Sequence, residues 1–117
     1  MPTIKLREVA HSRTGEKGDS VNLAVIAYRE EDYPILKEQV SVENVKKIFG
    51  PIVKGRIIRY EVPNIGALNF LMENALDGGR SRNLAFDESG KALSSLVYRM
   101  DIEVPKGYIG RSGVKVK

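Results

Sequence analysis

His11-Ser12-Arg13-Thr14-Gly15-Glu16-Lys17-Gly18-Asp19-Ser20 is the stretch on which the reading of the fold turns. Before it, in residues 3–10, Ile4 and Leu6 alternate with Lys5 and Arg7, the pattern of a strand with one wet face. After it, residues 21–28 (Val-Asn-Leu-Ala-Val-Ile-Ala-Tyr) are apolar almost throughout, as in a central strand covered on both faces, with Asn22 the exception. Two strands joined so closely pair antiparallel. A plain hairpin needs only about two to five residues to turn. This connection is longer, and it gathers two glycines, a histidine, two cations, two carboxylates and three hydroxyls, so the sequence marks it as a loop that could hold a site.

Working outward, Pro34 suits the first turn of a helix whose apolar side is Ile35, Leu36 and Val40. Ser41 reads as the N-cap of a second helix, with Glu43 in its first turn and Val42, Val45, Ile48 and Phe49 at helical spacing. Gly50-Pro51 stops it. Residues 52–62 read as a strand in which Ile58, Tyr60 and Val62 share a face, ended by Pro63-Asn64. The spacing of Ile65, Leu68, Met72, Ala75 and Leu76 predicts a helix over 65–77, stopped by Gly78-Gly79. A short strand over 80–86, a turn at 87–90 and one or two helical turns over 91–97 follow. In 98–104, Tyr98, Met100, Ile102 and Val104 alternate with Arg99, Asp101 and Glu103, a last half-buried strand ended by Pro105. Strands and helices are mixed without repeats or linkers. The expected fold is α+β in two layers, a mostly antiparallel sheet with helices on one face. Residues 1–105 would form the domain, and 106–117 a basic arm or frayed tail.

Composition narrows the function classes. At 117 residues the chain supplies one domain with an ordinary core. It has no cysteine, which excludes disulfides, thiolate metal sites and cysteine nucleophiles. His11 is its one histidine, so no all-histidine metal site can form within the chain. No apolar run approaches the ~20 residues that span a bilayer, and Met1–Lys5 lacks the apolar core of a signal peptide. The expectation is a cytoplasmic protein that does not enter membranes. The net charge of +4 is carried by Lys106, Arg111, Lys115 and Lys117 after the last acid, Glu103. A basic tail without interleaved aromatics or a nucleic-acid motif gives no reason to expect nucleic acid as a partner.

Two readings stand for the 11–20 segment. In one it is a solvated connection whose charges keep it wet. In the other it binds an anion. Gly15 and Gly18 bracket Lys17 and let backbone N–H groups approach a carboxylate or phosphate, Arg13 and Lys17 supply charge, and Asp19 orients one of them or accepts a ligand hydroxyl. The Walker spacing is absent. Asn69 falls on the apolar stripe of the expected 65–77 helix, where it either caps a backbone group or faces a ligand or partner chain. Asn64 is a turn residue or an N-cap. No spacing orders His11 with Ser12 or Ser20 into a triad, and no cofactor is implied.

The run 11–19 followed by Asn22 resembles the Arg-Ser-Gly-Asp-Lys-Gly-Asp type of signature in the acyclic terpene utilisation (AtuA-like) family. So, in order, do Arg59-Tyr60-Glu61-Val62-Pro63-Asn64, Leu68-Asn69-Phe70, Gly78-Gly79 and Asp87-x-x-Gly90-Lys91. Thr14 departs from that signature, and the tail after Pro105 lies outside the resemblance. The resemblance implies a ferredoxin-like α+β fold, the small C-terminal domain of the family as a free-standing chain. It further implies a setting in the degradation of branched or terpenoid acids as CoA thioesters. Two functions follow as expectations. One is an accessory subunit of a large AtuA-like chain. The other is a self-contained homo-oligomeric enzyme or binder of a CoA-type, carboxylate or phosphate ligand. In either, Arg13, Gly15, Lys17, Gly18, Asp19, Asn22, Asn64 and Asn69 would line the site or contact.

Overall fold

A four-stranded and a two-stranded antiparallel sheet share one core in the computed structural model, which describes residues 2–17, 20–50, 53, 55–73 and 96–117. The larger sheet contains β2 (Ala10–Lys17), β3 (Ser20–Ala27), β4 (Ile57–Val62) and β5 (Ala67–Met72), in the order β2-β3-β5-β4. The smaller pairs β1 (Thr3–Lys5) with β6 (Asp101–Glu103), setting Lys5 opposite Asp101. Two helices, α1 (Tyr33–Gln39) and α2 (Val42–Phe49), connect β3 to β4. Because β5 lies antiparallel between them, β3 and β4 run parallel, and β3-α1-α2-β4 is a split β-α-β unit. The α+β, ferredoxin-like expectation holds.

Alternation builds the core. Val21, Leu23 and Val25 on β3 meet Met72, Phe70 and Leu68 on β5 in register, all at most 1% exposed. Leu36, Val40, Val45 and Phe49 close over them from the helices. Each such side chain contributes about 1.5–3 kcal/mol by leaving water. Ser41 caps α2 as expected, its hydroxyl accepting from the Asn44 N–H at 3.1 Å. Gln39 ties α1 to β6 with a peptide-like pair, donating to the Glu103 carbonyl (2.8 Å) and accepting from the Glu103 N–H (2.7 Å).

Several expectations are corrected. Residues 11–17 are strand, not loop: each pairs with β3 from His11↔Ile26 to Lys17↔Ser20. The 3–10 strand is broken by a helical turn at Leu6–Glu8. Residues 65–77 do not form a helix where they are described. After the turn Pro63–Ile65, Gly66 adopts a left-handed conformation (φ 63°) and Ala67–Met72 runs as a strand between β3 and β4. β3 is central as expected, but only one of its faces is fully buried. Tyr98 closes a helical turn over 96–98 instead of opening the last strand. Residues 74–95, which include Gly78-Gly79, Arg80 and the 87–91 turn, lie outside the described residues.

The tail folds back on the body. Gly107 donates to the Val116 carbonyl and Val116 to that of Tyr108, both at 2.8 Å. Glu8 receives the tip: its carbonyl accepts from the Arg111 N–H and its Oε1 from the Ser112 N–H, each at 2.9 Å. The Ser112 hydrogen bond holds the Glu8 carboxyl below the usual range. Tyr108 donates to the buried Asp32 carboxylate at 2.8 Å, while Arg29 approaches the same oxygen at 2.9 Å and lies 5.2 Å from the Tyr108 ring centre.

Candidate functional site

Both helices pack on one side of the four-stranded sheet. The registers align three rows on the other: His11–Ile26–Ala67–Val62, Arg13–Ala24–Asn69–Tyr60 and Gly15–Asn22–Leu71–Ile58. Period-two alternation puts these side chains opposite to Leu23, Phe70 and their neighbours. Asn22, Ala24, Ile26, Asn69 and Leu71 are half-buried, and Tyr60 is 49% exposed. No described helix lies over this face, so Ile58, Tyr60 and Val62 share a face as expected, but the open one.

The open face mixes aliphatic surface with free donors. Arg13 is exposed, and neither its guanidinium nor the amides of Asn22 and Asn69 makes a hydrogen bond or ion pair among the described residues. A Cβ added at Gly15 would meet nothing within 4 Å, so the third row leaves space beside Asn22. At the opposite end His11 stacks on Tyr28 with ring centres 5.5 Å apart. Arg111 lies over the same ring at 5.0 Å and donates to the Tyr28 hydroxyl at 3.0 Å. Such a cation–π contact is worth about 0.5–1 kcal/mol at an exposed site. The tail thus brings a second cation to the rim.

Four of the sequence-marked residues, Arg13, Gly15, Asn22 and Asn69, meet on this face. Asn69 arrives there because it sits on a strand; it does not share a face with Leu68 and Met72 as a helix would have it. Lys17 ends β2 opposite Ser20, Gly18 and Asp19 lie outside the described residues, and Asn64 is exposed on the 63–65 turn beyond the first row. Sequence reasoning did not mark Tyr60, Ile58 or Ile26 as site residues. Their signal was available as the second apolar face of strands that also bury a first.

His11 and Ser12 are strand neighbours, so they point to opposite faces, and the buried Ser12 hydroxyl has no hydrogen-bond partner among the described residues. No group of three or more metal-ligating side chains occurs among the described residues, and no described helix is long and apolar enough to cross a membrane. The family model of the AtuA ferredoxin-like domain matches residues 4–103. Neither a curated protein nor a solved structure matches the chain.

Proposed function

The chain belongs to the AtuA ferredoxin-like domain family, and from that premise we propose that it is an accessory subunit that docks on a larger AtuA-like chain through the open face of its sheet. The observation that carries the reading is the composition of that face. Ile26, Ile58, Val62 and Leu71 offer apolar contact, Tyr60 stands half exposed at its centre, and Arg13, Asn22 and Asn69 present donors that have no partner among the described residues. An aromatic anchor with aliphatic neighbours and a few polar groups is the make-up of a protein contact. The absence of a nucleophile–base pair among the described residues of the face fits a subunit that completes a partner's site. The metabolic setting we assign is the breakdown of branched or terpenoid acyl-CoA compounds.

The test mixes the purified chain with a large AtuA-like chain and measures mass in solution by light scattering. A stable complex that is lost in Tyr60→Asp and in Asn69→Asp, both with unchanged circular dichroism, is the expected result. The reading is overturned if the two chains stay separate, or if the complex survives both substitutions. A homodimer that closes over this face and excludes the large chain would overturn it too.

A further inference from the structure

A second feature lies away from the open face, at the frayed end of the two-stranded sheet. Lys5 pairs with Asp101 across β1 and β6, and the next ladder bond runs from the Leu6 N–H to the Met100 carbonyl at 2.8 Å. Extending that register by one more place sets Arg7 opposite Arg99. Two like charges directly opposite destabilise an antiparallel pair, and here the strands give way to turns. Lys5, Arg7, Arg99 and Tyr98 line one cavity of about 320 Å³.

Among the described residues, the cations that line this cavity outnumber the acids beside them. Lys5 holds Asp101 at 2.7 Å. Glu8, beside Arg7 in sequence, accepts from the Ser112 N–H of the tail through Oε1, and after that hydrogen bond the Arg7 charge also helps to lower its carboxyl pKa. Neither Arg7 nor Arg99 makes a hydrogen bond or ion pair among the described residues. The Tyr98 wall is fixed, because its hydroxyl accepts the Ser12 N–H at 2.8 Å and so anchors the 96–98 turn to the edge of β2. Two guanidinium groups that are unpaired among the described residues and the Asp101-paired Lys5 ammonium therefore belong to one concave site, whose Tyr98 wall is anchored to the sheet.

We infer that this cavity binds the phosphoryl group of a phosphate-bearing ligand. A tetrahedral phosphate presents several oxygens at once and can take both guanidinium forks together with the ammonium. A carboxylate occupies one fork and leaves the other guanidinium uncompensated. The site is independent of the sheet face proposed as the docking surface, so either can stand without the other.

The test titrates the full chain by calorimetry at low salt with pyrophosphate, inorganic phosphate and acetate. Saturable binding of pyrophosphate and phosphate is expected, with acetate at least about tenfold weaker. Arg7→Gln and Arg99→Gln should each weaken phosphate binding by about tenfold or more, the usual loss for a charge-assisted contact, while Lys46→Gln at an exposed position of α2 leaves it unchanged. Both arginines are exposed, so the variants should fold, which circular dichroism checks. No saturable phosphate binding, equal affinity for acetate, or full affinity in either Arg7→Gln or Arg99→Gln would overturn the assignment.

Discussion

Arg59 does for α1 what a C-terminal glycine does for other helices. The helix ends at Val40 without a left-handed residue, leaving its last carbonyls in need of donors. Arg59 reaches across from β4, donating through Nη1 to the Val40 carbonyl (3.0 Å) and through Nη2 to that of Lys37 (2.7 Å), with its side chain only 17% exposed. Arg59→Ala should therefore lower unfolding free energy by about 2 kcal/mol, within the range for hydrogen bonds from a charged group. Arg59→Lys should recover less than half of that, because one ammonium cannot span two carbonyls with the geometry of a planar fork. Urea denaturation of the two variants measures both; equal stability of Lys and Ala variants with wild type would dismiss the cap. The sequence did not disclose this role. Arg59 alternates with Ile58 and Tyr60 as a solvated cation would, and only the approach of the C-terminal carbonyls of α1 turns it inward. The same blindness applied to Asn69 in reverse: its side of the chain could not be chosen until its secondary structure was known.

Element identity was legible where local chemistry and long-range packing agree. Ser41 marked the start of α2, Pro34 the first turn of α1, and the apolar run 21–28 the central strand. It failed at β5, where two periods fit the same residues. Leu68 and Met72 are four apart, which suits a helix, and Leu68, Phe70 and Met72 are two apart, which suits a strand. The competition is decided outside the segment. β3 requires a second neighbour, and Gly66 closes the short turn from β4 by adopting φ 63°, ψ 40°. That turn also sets the register Tyr60↔Asn69, so the rows of the open face could not be read before the hairpin was known. Gly66→Ala should destabilise the protein by about 1–2 kcal/mol, the cost of a left-handed conformation in a residue with a Cβ. Its nearest neighbour would be the Ala27 Cβ at 3.8 Å, an ordinary contact, so the loss is backbone alone. Gly66→Asn should lose less, since asparagine tolerates this conformation. Thermal melts that rank glycine, asparagine and alanine in that order bear the turn out; any other order speaks against it.

At the scale of the whole molecule the tail is what the sequence could not place. Its four cations and three glycines read as a solvated arm, yet its contacts join residues 76 to 104 positions apart, such as Tyr108 with Asp32 and Ser112 with Glu8. Nothing in the local pattern of 106–117 encodes such partners. The anchoring has a signature in alkali. Burial strips water from a would-be phenolate at Tyr108, and the hydrogen bond to Asp32 favours the protonated phenol further, so its pKa is pushed up to about 12. An unfolded tyrosine titrates near 10. The folded state therefore holds this proton more tightly, and the resulting stability is complete below about pH 10 and lost as pH rises through about 12. Wild-type unfolding free energy should decline across that window beyond what the other tyrosines produce. Tyr108→Phe should remove the extra slope while lowering stability at neutral pH by about 1 kcal/mol, because Asp32 loses a donor. Urea midpoints for both proteins from pH 8 to 12 would show the difference. If the two curves ran parallel throughout, Tyr108 would not be the group that couples the tail to the fold, and the Glu8 contacts would have to hold it alone.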